Sequence, residues 1–341
     1  MATVQLSDVY NPLVFAQLEQ EKQIELNAFL NSGVMSVDDR VNDLASVGGD
    51  TGELPFYVPL TIDEPNYSND NPAASSTPAK ISNAKQRYRL ASVNKSWAAM
   101  DLSRELALAD PVDAITTRIA RYFATNTERR VIESVRGLLK DNIANDSSDM
   151  IFDISATVDT AATDANLVDR DAIIDARQTM GDHRTVLGVM AAHSKVISRL
   201  EKIDALNFTR EKLSDTDIEI KYYAGMRVVE DDSLSGITYG TTPANTYYDT
   251  ILFGMDAFGY GNGRVLNPSE MDRDPASGNG GGQTIIYSRK AEIIHPYGFD
   301  FTSSSVAGQS ATYAELATAA NWNRVYVNRK NVNIAVLRSN G

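Results

Sequence analysis

The sequence contains no cysteine among its 341 residues. A chain without thiols has no disulfide framework, no thiolate zinc site and no cysteine nucleophile. Histidine is also scarce, because the chain has only His183, His193 and His295. These positions are scattered along the sequence, which disfavours a cluster of imidazole metal ligands. We therefore expect neither a metal ion nor a cofactor.

Two further absences concern membranes and export. The N-terminal segment MATVQLSDVYNPLVF has neither a basic start nor an apolar core, so it does not have the pattern of a signal peptide. The longest apolar stretches, such as TVLGVMAA at residues 185–192, are far shorter than the roughly 20 residues that cross a bilayer. We expect a protein that is made in the cytoplasm and has no membrane partner.

Positive charge is in deficit. The chain has 32 Lys and Arg residues against 45 Asp and Glu residues, a formal net charge of −13, which argues against a protein that coats nucleic acid. Residues 1–79 carry twelve acidic and two basic side chains, whereas residues 80–104 carry six basic and one acidic. The two segments could pair with each other within one chain, or both could stay solvated. The other possibility is that a basic hairpin reaches the acidic surface of a neighbouring subunit.

Recognisable catalytic motifs are missing. There is no Gly-x-Ser-x-Gly, no His-Glu-x-x-His and no phosphate-binding loop. The glycines of GYGNGR (Gly259, Gly261 and Gly263) do not match the dinucleotide-binding spacing, and no clear helix follows them. SDTDIE at residues 214–219 lacks the glycine and the distal glutamate of a calcium loop. We predict no catalytic residue, and this favours a structural role.

The segment ADPVDAITTRIARYFATNTERRVIESVRGLL, residues 109–139, predicts one long helix. Asp110 suits the N-cap and Pro111 the first helical position. The alternative is two helices with an unmarked break, but neither Pro nor Gly occupies the polar junction ATNTERR. At 100° per residue, the two halves place their apolar side chains on different faces, so each half should pack against different structure. The first set is Val112, Ile115, Ile119, Tyr122 and Phe123, and the second is Ile132, Val135, Leu138 and Leu139.

The segments around this helix alternate between loops and mixed elements. Residues 12–31 predict an amphipathic helix that stops at Gly33, and residues 54–97 predict a long loop with two strand-like limbs. After the long helix, the patterns predict helices at 167–181 and 193–203, a buried strand at 185–192, and a hairpin at 218–231 that turns at Ala224 and Gly225. Further strands follow, separated by a flexible loop at 278–283. The segment NWNRVYVNRKNVNIAVLR has a strand pattern with Val332, Ile334 and Val336 on one face.

This order of parts resembles the major capsid proteins of tailed bacteriophages, which have the HK97-like fold, of class α+β. The resemblance covers nearly the whole chain and is carried by the long-helix segment, TVLGVMAAHSKVISRL, IKYYAGMRVVEDDSL, ILFGMDAFGYG, AEIIHPYGFDF and the closing NWNRVYVNRKNVNIAVL. The resemblance implies an N-terminal arm (1–52), an E-loop (53–99), a peripheral (P) domain (100–160, spine helix 111–142), an axial (A) domain (161–262), P-domain strands (263–310) and a C-terminal return to the A domain (311–341).

The resemblance also implies a function and partners. The chain would assemble through hexamers and pentamers into an icosahedral shell around double-stranded DNA, as part of a virion that is assembled in the host cytoplasm. A separate scaffolding protein, a portal and a possible decoration protein would be its other partners, and DNA would be enclosed without sequence-specific binding. The implied assembly-interface residues in the E-loop are Lys80, Lys85, Arg87, Arg89, Lys95 and Trp97. No buried acid could be assigned to support a lysine crosslink between subunits.

Three alternatives stay open at this point. An encapsulin-like compartment shares the fold, an enzyme of an unrecognised α/β fold would form a small oligomer with a polar pocket, and a surface-layer protein would need an export signal. The long N-terminal arm and the large E-loop favour a viral shell over an encapsulin-like compartment. Deletion of residues 60–90 is expected to leave a folded subunit that cannot form stable shells.

Overall fold

The computed structural model describes residues 28–47, 49–58, 64–73, 75–78, 80–101, 111–212 and 219–341. The predicted helix at residues 12–31 lies largely outside these ranges, as do the N-cap residue Asp110 and most of the acidic segment 214–219. The helices within the described ranges are α1 (Ala28–Ser32), α2 (Asp39–Val47), α3 (Pro111–Asn145), α4 (Arg170–Gln178), α5 (Ser194–Ile203) and α6 (Tyr313–Leu316). Short 3-10 turns lie at Asp164–Asn166, Gly181–Val186, Ala205–Asn207, Ala319–Asn321 and Arg329–Asn331. None of the described helices is long and apolar enough to cross a membrane.

The first large sheet is built around the long strand β14 (Gln283–Pro296). One edge of β14 pairs antiparallel with β4 (Ala91–Met100). Along the other edge of β14, strand β13 (Ser269–Asp274) pairs with its first half and strand β12 (Phe258–Gly263) with its second half. Strand β1 (Met35–Val37) pairs with β12 in parallel. Burial alternates along the first half of β14, as expected for a strand with one covered face.

The strands of the second large sheet are β5 (Ile151–Asp153), β6 (Leu187–Ala192), β7 (Phe208–Lys212), β8 (Glu219–Tyr223), β9 (Met226–Glu230), β10 (Ile237–Tyr239), β11 (Asn245–Gly254) and β17 (Ile334–Ser339). Within the described ranges their order is β5–β17–β11–β6–β9–β8–β7, with β10 paired to β11. The hairpin β8–β9 turns at Ala224 and Gly225, as the sequence predicted, and both residues have positive φ. Helices α4 and α5 cover one face through buried side chains such as Ile173 and Ile197.

The long helix α3 connects the two sheets. It is continuous over 35 residues, a length of about 52 Å, and the prediction of a single unbroken helix is confirmed. Ile119 and Phe123 of its first half pack with Ile286 of the first sheet. Its second half packs through Ile132, Val135, Leu138 and Leu139 in a separate, larger core that includes strands of the second sheet. The apolar stripe changes face because the helix has a different neighbour at each end.

Two small strand pairs complete the topology. The hairpin β2 (Thr51–Tyr57) with β3 (Asn83–Arg89) is antiparallel and forms the two limbs of the predicted E-loop. The strands β15 (Phe299–Phe301) and β16 (Trp322–Arg324) pair beside it. Contacts between β15 and β3 attach the hairpin to the rest of the chain.

The segment after Gly33, which the resemblance assigns to the N-terminal arm, contains β1 and α2. Two sequence expectations need correction. The C-terminal segment is not one strand, because a 3-10 turn at Arg329–Asn331 separates β16 from β17. Its apolar alternation is nevertheless as predicted, since Val332, Ile334 and Val336 share one core. The glycine-rich segment near residue 278 forms a tight turn, Ser277–Gly280, in which Gly278 and Asn279 have positive φ.

The glycines of GYGNGR have a packing role. They lie in β12, and helix α2 packs directly on this strand. A Cβ atom at Gly261 would lie 2.7 Å from the carbonyl oxygen of Val41, which is closer than real side-chain contacts allow. Glycine therefore lets the backbone of α2 approach the sheet, and this accounts for a pattern that matched no cofactor motif.

Candidate assembly interface

The β2–β3 hairpin is joined by residues 58–82, which we call the extended loop. The backbone N–H of Val58 donates to Ser82 at 3.0 Å and closes the paired part of the hairpin. Every described residue from 64 to 82 is exposed. Tyr57 and Tyr67 are each 75% exposed, and Ile81 is 63% exposed. A stretch this long in which no described residue from 64 to 82 is buried is uncommon in a compact fold and indicates a binding role.

The base of the hairpin is held by an ion pair between Arg87 and Asp300. The guanidinium donates from Nε to Oδ1 at 2.9 Å and from Nη2 to Oδ2 at 2.5 Å, and the Arg87 backbone N–H donates to Oδ1 at 2.8 Å. These hydrogen bonds to a carboxylate raise the pKa of Arg87 above its usual value. Because the two-pronged geometry fixes both direction and distance, it orients β3 on β15.

A second anchor is the buried pair of Gln86 and His295. His295 Nε2 lies 3.2 Å from Gln86 Oε1, which also accepts from the backbone N–H of Gly298 at 3.1 Å. Burial lowers the pKa of His295 to about 4, so the ring is neutral at neutral pH. The pair joins β3 to the end of β14 and to the turn that follows it.

A buried group of charges lies behind the hairpin, between α3 and β14. Glu292 binds Lys290 at 2.6 Å and accepts from the Thr127 hydroxyl at 2.9 Å, with Arg130 3.9 Å away. Burial lowers the pKa of Lys290, but the attraction and hydrogen bonds of Glu292 and Tyr260 together outweigh it, so the pKa lies above its usual value. This cluster joins the helix to the sheet by charge as well as by apolar contact.

The six predicted interface residues fall into three groups. Lys85 binds Glu53 of the partner limb at 2.6 Å, Arg87 binds Asp300, and Arg89 donates to the carbonyl oxygens of Gly308 and Gln309 at 2.6 and 2.8 Å. Trp97 is half-buried and meets the ring of Tyr122 edge-on, with ring centroids 5.6 Å apart. Lys80 and Lys95 are exposed and have no ion pair with any described residue. Much of the basic charge is therefore used within the chain, and an interface role for the six residues stays a prediction.

Sequence reasoning missed the anchors and one basic surface. Asp300 and His295 lie more than 200 positions from their partners, so no local pattern connects them. Arg118, Arg121 and Arg129 of α3 are exposed and share one side of the helix. Their spacing of three and eleven residues could have been found on a helical projection.

The described residues contain no group of three or more His, Asp or Glu side chains placed to hold a metal ion. His193 caps α5 by accepting from the Lys195 backbone N–H at 3.1 Å, as its position in the sequence suggested. His183 Nδ1 lies 3.3 Å from the carbonyl oxygen of Lys330. Each histidine thus has a structural contact.

Comparison with known proteins places the chain in a family. No protein-family model matches the sequence. The major capsid protein of Bacillus phage SPP1 is 31% identical over 334 residues, which cover 97% of this chain and 96% of that protein. This chain belongs to the phage major capsid proteins. The resemblance inferred from the order of its segments is confirmed.

Solved structures bear out the fold of this capsid protein. It is similar to the capsid of Ralstonia phage GP4, with a TM-score of 0.63 and 11% identity over 93% of this chain and 92% of that one. It is also similar to the capsid of cyanophage Pam1, with a TM-score of 0.55 and 13% identity over 88% and 87% of the two chains. These similarities show the HK97-like fold. Neither an encapsulin-like compartment nor an enzyme finds support in them.

Proposed function

We propose that this capsid protein forms hexamers and pentamers that close an icosahedral shell around double-stranded DNA. The similarity to a major capsid protein over nearly the whole length of both chains supports this function. Rings are built by heterologous contacts, in which one surface of a subunit meets a different surface of the next. A subunit of this kind needs a projecting element and a receiving face.

The extended loop is the projecting element. The observation that carries this proposal is the exposure of every described residue between 64 and 82, which include aromatic and aliphatic side chains. The base of the hairpin is fixed by Arg87 and by Gln86, so the loop is presented in a defined direction. A fixed base lowers the entropy that binding a neighbour would cost.

The predicted interface residues take different parts in this proposal. Lys80 lies on the extended loop, and Lys95 and Trp97 lie on β4; these three can contact a neighbouring subunit. Lys85, Arg87 and Arg89 act indirectly by holding the hairpin in place.

The proposed domains follow the two sheets. Helix α3 and the sheet around β14 form the P domain, and the sheet around β11 forms the A domain. The pairing of β17 with β11 and β5 supports the C-terminal return to the A domain. Because β12 pairs with β14 of the P domain, we propose that the A domain ends between Gly254 and Phe258 and not at residue 262. Because β5 pairs with β17 of the A domain, we propose that the A domain begins before Ile151.

The proposed partners are those of a shell subunit. We propose assembly in the host cytoplasm with a scaffolding protein, a portal and, where present, a decoration protein. The enclosed DNA would not be bound tightly, because a net charge of −13 repels phosphate. We propose a structural role without catalysis.

The test is removal of the extended loop. Deletion of residues 60–90 would also remove the buried side chains of Gln86 and Tyr88, so it would disturb the fold as well as the loop. Replacing residues 59–81 with Asn-Gly keeps the Val58–Ser82 pair and supplies a two-residue hairpin turn. We expect this loop-deletion variant to keep the thermal unfolding midpoint of the wild type within about 3 °C, since few contacts are lost. Sedimentation should show loss of rings and shells. Rings and shells at wild-type yield would refute the role of the loop.

A further inference from the structure

An asparagine that is followed by glycine can lose its side-chain amide through a reaction within the chain. Asparagine is a thermolabile residue, and glycine has no Cβ to keep its backbone nitrogen away from the side-chain carbonyl carbon of the residue before it. The sequence contains three such pairs, Asn262-Gly263, Asn279-Gly280 and Asn340-Gly341. The pairs share one chemistry, so any difference in their reactivity comes from the structure around each.

Asn340 is protected by burial and by its hydrogen bonds. It is 6% exposed. Its Oδ1 accepts from the backbone N–H of Ala156 at 2.7 Å, and its Nδ2 donates to the carbonyl oxygen of Thr246 at 3.0 Å and to the Tyr239 hydroxyl at 3.3 Å. The amide therefore cannot turn its carbonyl carbon toward the nitrogen of Gly341 unless this part of the sheet opens.

Asn262 is half-buried and is held in a strand. It lies in β12, and the neighbouring Gly263 is in register with Ala291 of β14. The Asn262 side chain accepts from the Tyr260 hydroxyl at 2.7 Å, and the Asn262 backbone N–H donates to the side chain of Asn42 at 2.9 Å. The strand pairing holds the backbone and the hydroxyl holds the side chain, so the same rotation is opposed here.

Asn279 lacks this protection. It is exposed in the turn Ser277–Gly280, which lies between β13 and β14. Its side chain has no hydrogen bond to any residue in the described part of the chain. The attacking group is the backbone nitrogen of Gly280, whose N–H donates to the carbonyl oxygen of Ala276 at 3.4 Å, which is longer than an ordinary hydrogen bond. Both reacting groups are therefore only weakly held.

The backbone of this turn also leaves room for the reaction. Asn279 has φ 56°, a left-handed conformation that is unfavourable for most residues with a Cβ. Gly280 has φ 90°, and a Cβ built on it would have no neighbour within 4 Å among the described residues. Gly281 and Gly282 follow, so the chain can leave its present conformation with little steric resistance.

We propose that Asn279 is a site of spontaneous deamidation, at which a neutral side chain becomes an acid. The nitrogen of Gly280 attacks Cγ of Asn279 and gives up its proton. A C–N bond forms, the Cγ–Nδ2 bond breaks, and ammonia leaves with that proton. Water is the only co-reactant, and it opens the resulting succinimide ring at either carbonyl group. The products are aspartate and isoaspartate, and in isoaspartate the main chain runs through Cβ and Cγ. This inference does not depend on the assembly function.

The modification changes one end of the first sheet. Isoaspartate adds a methylene group to the main chain inside a turn that is closed by the Gly282 N–H donating to the Ser277 carbonyl oxygen at 3.0 Å. The Gly282 carbonyl oxygen also accepts from the Asp101 N–H at 3.1 Å. Both products add a negative charge at this end of the sheet, where Arg273 pairs with Asp101 at 2.8 Å. Deamidation therefore alters both the length and the charge of the turn.

Peptide mapping by mass spectrometry of the full chain tests the proposal. The folded protein is incubated at physiological temperature and mildly alkaline pH, which helps to remove the proton from the Gly280 nitrogen. The peptide with Asn279 should gain about 1 Da and separate into two species by chromatography. We expect its rate to exceed the rates at Asn262 and Asn340 by roughly tenfold or more, because the protected pairs react only through local opening.

The same chain in guanidinium chloride is the matched control. Without the fold, the three pairs should react at similar rates. The folded sample is kept for as long as the denatured sample needs to convert half of its Asn-Gly pairs. An Asn279 that stays intact in the folded protein over that time would overturn the proposal. Equal rates at Asn262, Asn279 and Asn340 in the folded protein would overturn it as well, because the structure would then select none of them.

Two variants give an independent readout by charge. Asn279→Gly keeps a residue that adopts the left-handed conformation without strain, but it has no side-chain amide to lose. The acidic species that the wild type accumulates in isoelectric focusing should be absent from this variant. Asn279→Asp should migrate with the first acidic species of the wild type. Acidic species that form in Asn279→Gly at the wild-type rate would place the reaction elsewhere and overturn the assignment.

Discussion

Arg87 and Asp300 join two strands that are distant in sequence through a two-pronged ion pair with contacts of 2.9 and 2.5 Å. The carboxylate is nearly buried, whereas the guanidinium is partly exposed. Since β3 is the return limb of the hairpin, this pair holds the base of the hairpin on β15.

The ion pair gives a first prediction about stability. Arg87→Ala should lower the free energy of unfolding by about 1–2 kcal/mol, because a nearly buried carboxylate loses its counter-charge while solvent screens part of the effect. A double-mutant cycle with Asp300→Ala in chemical denaturation should give a coupling of similar size. Lys85→Ala is the control and should cost less than about 0.5 kcal/mol, since both members of that pair are exposed. Equal effects of Arg87→Ala and Lys85→Ala would contradict the anchoring role.

Replacing Gly137 of α3 with alanine should destabilise the protein, although helix propensity favours alanine over glycine. In an open helix, Gly to Ala stabilises by about 1 kcal/mol. Here a Cβ atom would lie 2.1 Å from the carbonyl oxygen of Leu316 and 2.4 Å from the Trp322 indole nitrogen. We expect Gly137→Ala to destabilise by about 2–3 kcal/mol in thermal or urea unfolding, because backbone and ring must move. Thr125→Ala on the exposed side of the same helix should change stability by less than about 0.5 kcal/mol. A stabilised Gly137→Ala variant would refute the close contact.

The buried charges behind the hairpin should be sensitive to neutralisation. Glu292→Gln leaves Lys290 and Arg130 buried without their carboxylate, and we expect a loss of about 3–5 kcal/mol in the free energy of unfolding. Glu270→Gln removes the partner of Arg289 from a partly exposed pair at 2.6 Å and should cost about 1 kcal/mol or less. Urea unfolding of both variants compares them directly. The interpretation fails if the two substitutions cost the same.

His295 predicts a pH dependence of stability. Its pKa is about 4 in the folded protein and about 6.5 when unfolded, so the unfolded state binds the extra proton first as pH falls. The stabilisation is fully present above pH 6.5 and is lost as pH falls toward 4. Between pH 7 and pH 5 this histidine should account for a loss of about 2 kcal/mol in the free energy of unfolding. His295→Gln should flatten the curve over that window, and an unchanged slope would contradict the assignment.

The sequence predicted the elements whose pattern is local. The continuity of helix α3 followed from the polar junction ATNTERR, which contains neither Pro nor Gly. The change of its apolar face followed from the positions of Ile119, Phe123, Ile132 and Val135. Strand β6 and the β8–β9 hairpin followed from apolar runs and a turn at Gly225. The order of these segments was sufficient to identify the family.

Other features depend on contacts between distant residues and could not be predicted locally. Helix α2 has few apolar residues, of which Val41 and Ala45 are buried against β12 and its neighbours. Arg87 and Arg89 were predicted as interface residues from their charge, but charge alone does not indicate which carboxylate or carbonyl group lies opposite.

The most direct test of the assembly function is negative-stain electron microscopy of the purified full chain beside the loop-deletion variant. The account predicts rings of five and six subunits, or closed shells, for the wild type. It predicts folded single subunits without rings for the variant. A wild-type protein that forms only a uniform dimer or tetramer, with the same species after loop deletion, would contradict the account.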